Sequence, residues 1–366
     1  MALADQRPSR GGRPHHTSIR LIRPGERSRA VADVQARLRA LGHEVSDETG
    51  LYGESTAAAV RAFQQARAIS VDGIVGPDTW TELVEASWRL GDRTLYLRRP
   101  MLRGDDVAEL QRRLNALGFD AGREDGIFGD ATARALKGFQ REYGVPEDGI
   151  FGPLTHSALR GLRVDRPGLS AVLREELRWS RVELDGALVV IDPGHGPGDP
   201  GEVSPRGRSE SELCWDLAVR VAHHLAEAGA GVRLTRTEAE NPDASERARR
   251  ANDLDAHAFV SLHLNHHDEP TAEGASTYYF MGSRLGEWLA DNILAALVGA
   301  GAANCRSHPR RTRILRETRM PAVIVEPAFI SNPDEAKRLE DADHREALSA
   351  AIAGGIRLHF EGWKPG

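Results

Sequence analysis

Four residues combine the types and the setting that metal-assisted hydrolysis needs. His195 follows the apolar stretch LVVIDPG, Glu212 lies in the first turn of the next helical stretch, His263 ends FVSLH, and Glu326 ends AVIVE. Their separations of 17, 51 and 63 residues exclude a local His-Glu-x-x-His helix, so a fold must assemble them. Two imidazoles and one carboxylate suit a catalytic zinc ion, because three protein ligands leave the fourth position for water whereas a structural site is closed by four. Zinc lowers the pKa of its bound water towards about 7, and a nearby carboxylate, here Glu326, can take the proton as the water attacks a carbonyl. Singly, each residue is weak evidence, since a lone histidine after a strand is more often structural.

The elements that must position them begin at residue 187. ALVVIDPGHG reads as a buried strand running into a glycine-rich loop, and GVRLTR, AFVSLHLN, STYYF and PAVIVEP as further strands. Between or after them, ELCWDLAVRVAHHLAEAG, ERARRAND, RLGEWLADNILAALV and HREALSAAIAGGIRLHF carry helical periodicity. This alternation predicts an α/β domain over 187–361, a mostly parallel sheet covered by helices on both faces. In such sheets ligands gather at the carboxyl ends of the strands, where the four candidates fall.

IDPGHGPGDPG, SELCWDLA, FVSLHLN and PAVIVEPAFISNPDEAKRL occur in the order and setting of the amidase 3 family of N-acetylmuramoyl-L-alanine amidases, which the whole of 187–361 resembles. The resemblance implies one zinc ion held by His195, Glu212 and His263, with Glu326 as the catalytic glutamate. It also implies hydrolysis of the amide between the lactyl group of N-acetylmuramic acid and L-alanine. Glu212 is preferred to Glu210 because Leu217 falls five positions after it, as in the family's Glu-x-x-x-x-Leu pattern. His266 and His267 read as loop residues. His308 and Arg313 match no motif that fixes a role, and Arg236, Arg247 and Asn252 match recurrent family positions of structural character. Asn332 caps the following turn. The loop GHGPGDPG lacks the Gly-Lys-Ser/Thr of a phosphate-binding loop. One departure stands beside the base: Glu326-Pro327-Ala328-Phe329 replaces the family's Glu-x-Gly-Phe, which predicts altered loop geometry.

Upstream lies a duplication. GERSRAVADVQARLRALG aligns without a gap with MLRGDDVAELQRRLNALG, GLYGESTAAAVRAFQ with GIFGDATARALKGFQ, and VDGIVGPDTW with EDGIFGPLTH, all at an offset of 76 that pairs Gln35 with Gln111 and Phe63 with Phe139. Each copy, 19–90 and 95–163, reads as a small all-α three-helix bundle, with Gly42 and Gly118 ending the first helices. These spacings resemble the peptidoglycan-binding domain 1 family, implying peptidoglycan or a muropeptide as partner. Residues 1–18 read as a flexible tail and 164–186 as a linker helix in which Trp179 is a packing anchor.

Composition narrows the alternatives. A net charge of -6 gives no general attraction to nucleic acid, and no run of 18 apolar residues could insert in a membrane. Cys214 and Cys305 are too few for a disulfide framework. The amino terminus has no apolar signal-peptide core, so the sequence predicts a cytoplasmic chain, or a cell-wall one if exported by a non-classical route. Two repeats before an amidase domain without such a signal resemble actinobacterial cytoplasmic amidase homologues. That resemblance implies an alternative: a non-catalytic regulator of peptidoglycan synthesis, acting on precursor or through a regulatory protein partner.

Overall fold

The computed structural model describes residues 21–162, 175, 178, 179 and 182–362, so the tail and most of the linker lie outside the described residues. The first copy contains helices α1 (Arg29–Ala40), α2 (Glu54–Ala66) and α3 (Pro77–Ala86), and the second α4 (Asp105–Ala116), α5 (Asp130–Glu142) and α6 (Pro153–Arg160). Val31, Val34, Leu38, Val60, Phe63 and Leu83 close the first core, and Val107, Leu110, Leu114, Leu136 and Phe139 the second. The repeated glutamine is structural. Buried Gln35 donates to Leu51 O at 2.9 Å and Thr56 Oγ1 at 3.0 Å and accepts from Gly50 N, so it satisfies the loop backbone between two helices. Gln111 does the same through Ile127 O, Thr132 Oγ1 and Gly126 N.

The second region holds strands β1 (Leu188–Pro193), β2 (Gly231–Leu234), β3 (Ala258–Leu262), β4 (Ala275–Phe280), β5 (Asn304–Arg310) and β6 (Ala322–Glu326) in one sheet of order β2-β1-β3-β6-β4-β5. All pairings are parallel except β4 with β6, which run antiparallel, so the sheet is mixed. Strand β5, NCRSHPR, is an addition to the strands legible in the sequence. Helices α7 (Glu210–Glu227), α9 (Arg284–Gly299) and α12 (Ala342–Gly362) cover one face, packing Leu213, Leu217, Leu289, Ile293 and Ile352 against Val189, Ile191, Val260 and Val323. The other face carries α8 (Ala244–Asp253) and α10 (Arg313–Glu317), where Ala251, Ile314 and Leu315 meet Val190, Phe259 and Ile324. Trp179 packs here, its ring edge-on to His257 at 5.9 Å, in keeping with an anchoring role. Helix α11 (Pro333–Glu340) starts at Asn332, whose side chain accepts from Asp334 N and Glu335 N. No described helix is long and apolar enough to cross a membrane.

Candidate metal centre

His195 stands where β1 leaves the sheet, with φ +57°, a region that non-glycine residues adopt at a cost of about 1–3 kcal/mol. Two arginines hold the turn in place. Arg247 donates to Pro193 O at 2.6 Å and His195 O at 2.6 Å, and Arg236 to Pro193 O at 3.0 Å and Gly194 O at 3.1 Å. Arg247 is in turn paired with buried Asp192 at 2.8 Å, and Asp192 accepts from Ser261 Oγ at 2.6 Å. The residue before His195 has to be glycine: a Cβ on Gly194 would lie 2.6 Å from His263 Cε1 and 2.7 Å from Leu262 O.

Helix α7 brings Glu210, and not Glu212, to the two histidines. Ser209 caps the helix, its hydroxyl accepting from Glu212 N while Glu212 Oε2 accepts from Ser209 N at 3.2 Å, a reciprocal capping box that occupies Glu212 at the helix end. Glu210, the first helical residue, is 3 % exposed and turns towards the strand ends. Its Oε2 lies 3.1 Å from His195 Nε2 and its Oε1 lies 3.0 Å from His263 Nδ1. His263 follows β3 and is fixed by its N–H donating to Val325 O at 3.0 Å. The helical phase explains the choice: Glu210 shares its face with Leu213, Cys214 and Leu217, three, four and seven positions on, and all of them are buried. Glu212, the ligand expected from the Glu-x-x-x-x-Leu spacing, lies off that face and is not brought together with the two histidines.

One ligand atom from each of His195, Glu210 and His263 lies within 4.8 Å of the others, a two-nitrogen, one-oxygen set that fits a zinc ion with room for a fourth ligand. Surrounding groups have the form that supports metal ligands. Asp199 Oδ2 meets the second nitrogen of His195 at 3.0 Å, and Leu264 N donates to Glu210 Oε1 at 3.0 Å. Burial pushes the Glu210 carboxyl up, but hydrogen bonds from His195 and His263, with their charge, outweigh it and hold the group well below the usual carboxylate range. Burial likewise lowers His195, yet Glu210 and Asp199 bring a net rise.

Glu326 ends β6 at the same end of the sheet, one residue past the carbonyl that His263 binds. Its side chain is 13 % exposed, accepts from Ser276 Oγ at 3.3 Å and lies 3.9 Å from Arg310 Nη1. Ser276 also meets Asn265 Nδ2 and the Tyr278 hydroxyl, each at 3.1 Å. Ala328, in place of glycine, is buried and is not among the described non-glycine residues with positive φ, so this substitution imposes no backbone strain. His266 pairs loosely with Glu202 at 3.5 Å and His267 accepts from Glu269 N, both outside the cluster. His308 stacks on Tyr278 at 5.8 Å, and Arg313 faces Glu317 at 3.9 Å. Asp199, Ser276, Asn265, Tyr278 and Arg310 were not singled out from sequence; of these only Asp199 and Asn265 lie within recognisable motifs.

Fold and cluster together define a mixed α/β protein with a candidate metal centre at the strand ends. The sequence profile of the N-acetylmuramoyl-L-alanine amidases matches residues 189–357, and that of a peptidoglycan binding domain matches 27–83 and 103–159. The N-acetylmuramoyl-L-alanine amidase CwlM of Mycobacterium tuberculosis is 40% identical over 365 residues, spanning 93% of this chain and 90% of that protein. The probable cell wall amidase LytH of Staphylococcus aureus is 31% identical over 180 residues, 48% of this chain and 60% of LytH. Among solved structures, the amidase AmiC2 of Nostoc punctiforme is 31% identical over 46% of this chain and 94% of its own, with a TM-score of 0.45. The chain belongs to the N-acetylmuramoyl-L-alanine amidase family and carries two peptidoglycan-binding domains.

Proposed function

We propose that this protein is a zinc-dependent hydrolase of the amide joining the lactyl group of N-acetylmuramic acid to L-alanine in peptidoglycan. The observation that carries this reading is the convergence of His195, Glu210 and His263 at the sheet end that also bears Glu326. When bound, zinc would polarise the scissile carbonyl and acidify a water molecule. The chain's own residues do the rest. His195 and His263 would each hold the ion through a ring nitrogen, with Asp199 fixing the ring of His195. Glu210 supplies the anionic donor. Glu326 takes a proton from the attacking water as the C–O bond forms, then delivers it to the alanine nitrogen as the C–N bond breaks. Arg236 and Arg247 keep the His195 turn in its strained conformation, so the donors are positioned before substrate arrives.

The two repeats bind the wall polymer and bring the site to its substrate, in this reading. A regulator that binds precursor through a retained metal site would account for His195, Glu210 and His263 but gives no role to Glu326 at the same sheet end. The test is turnover of a soluble muropeptide. Wild type is expected to release lactyl-sugar and a free L-alanine amino terminus, and Glu326→Gln to lose at least about 100-fold in kcat while keeping zinc. Equal turnover by the two proteins would remove Glu326 from the chemistry.

A further inference from the structure

Strand β5 ends at Arg310, whose guanidinium carbon lies over the Tyr278 ring, 3.6 Å from the ring centre. From there Nη1 faces Glu326 Oε1 at 3.9 Å. Glu326 accepts from Ser276 Oγ at 3.3 Å and interacts with the Tyr278 hydroxyl, so a cation seated over that same Tyr278 ring adds a charged restraint to two neutral ones.

The residues immediately after Arg310 are gripped by both repeats. Arg311 donates its backbone N–H to Ala68 O at 2.8 Å and turns its side chain towards Glu82 at 3.9 Å. Arg316 is 4 % exposed: Nη1 pairs with Glu85 at 2.5 Å and Glu82 at 3.4 Å in the first repeat, and Nε donates to Asp125 O at 2.6 Å in the second. Glu317 receives Arg103 at 2.7 Å, and Thr318 O receives Arg123 at 2.6 Å. A further pair, Arg67 with Asp105 at 2.8 Å, ties one repeat to the other.

Several of these contacts fall where the duplicated copies differ: Glu82 and Glu85 correspond to Ala158 and Gly161, Arg67 to Tyr143, Asp105 to Arg29 and Arg123 to Asp47, although Arg103 matches Arg27. Gln35 and Gln111, Gln64 and Gln140, and Phe63 and Phe139, which fold the two bundles, are shared. A buried arginine with two carboxylates is stable only when every partner is in place, so this contact favours one arrangement of repeats and sheet over a free tether.

We propose that Arg310 is a positioning residue for Glu326, and that the two repeats hold it there by clamping residues 311–318. The proposal rests on Glu326 being the proton carrier. It assigns the repeats a role in forming the site, in addition to wall binding.

The experiment compares full-length wild type, Arg310→Met, Arg310→Lys and Glu85→Gln, loaded with zinc, on a soluble muropeptide too small to bridge repeats and site. Arg310→Met is expected to lower kcat about 100-fold with KM and zinc content unchanged within about twofold, and Arg310→Lys to restore about tenfold of that loss. Glu85→Gln should lower kcat in the same sense and raise amide hydrogen exchange across 308–318. An unchanged kcat in Arg310→Met, or a change confined to KM, overturns the positioning role. Unchanged exchange in Glu85→Gln overturns the clamp. A wild type that binds zinc without turnover defeats the proposed function instead, and the exchange comparison then decides the clamp by itself.

Discussion

Exchanging the two neighbouring glutamates should have opposite consequences. Glu212→Ala removes one exposed hydrogen bond, from Ser209 N at 3.2 Å, and leaves the Ser209 cap in place. Loss of about 0.5–1 kcal/mol follows, with a melting temperature lower by about 1–4 °C and zinc affinity unchanged. Glu210→Gln keeps the size of the side chain but takes away its charge between His195 and His263, at 3.1 and 3.0 Å. A carboxamide is a poor zinc donor, so affinity should fall at least about 100-fold, which is about 3 kcal/mol. Competition against a chromogenic chelator reads the affinity, and melting with and without zinc reads the linkage: zinc at about 100 times Kd should raise wild-type stability by about 2.7 kcal/mol. That increment should persist in Glu212→Ala and fall to about 0.4 kcal/mol or less in Glu210→Gln at the same zinc concentration. Retention of zinc by Glu210→Gln with its loss from Glu212→Ala would refute the assignment.

Other consequences follow from single contacts. Asp199→Asn weakens the support of His195 Nδ1, now 3.0 Å away, and should cost about 10–100-fold in zinc affinity by the same competition assay. Gly194→Ala places a Cβ 2.6 Å from His263 Cε1, so urea unfolding should show about 2 kcal/mol of destabilisation together with weakened zinc binding. His359 is 4 % exposed, and burial lowers its pKa to about 4. The unfolded chain, with a pKa of about 6.5, therefore binds the proton first; stability is complete above about pH 6.5 and falls by about 3 kcal/mol as pH drops towards 4. His359→Phe should flatten that part of the urea-midpoint profile, and a parallel decline in the variant would exclude His359 as its cause.

The repeats and the α/β pattern were legible because their signals are local: glycines at turns, apolar positions at helical or strand spacing, and polar residues at strand ends. Strand β5 was hidden because NCRSHPR has almost no apolar content, carries Pro309 and pairs on one side only, as an edge strand can. β4 was legible as the strand STYYF, but its antiparallel direction against β6 was not, since direction depends on where the chain re-enters the sheet. Glu210 was readable in principle, for Ser209-x-x-Glu212 is a capping-box signature and Glu210 is in phase with Leu213 and Leu217. The Glu-x-x-x-x-Leu spacing points to Glu212 instead. The partners of the docking were not legible, because Arg316, Glu82 and Glu85 look like surface charges until the fold buries them together.

Metal-dependent release of a new L-alanine amino terminus from a soluble muropeptide measures the central claim most directly. Protein stripped with a chelator should be inactive, and reloading should restore release as zinc approaches one ion per chain, the capacity of the His195, Glu210 and His263 cluster. Release that persists in stripped protein, or zinc-loaded protein that releases nothing, would contradict a zinc amidase.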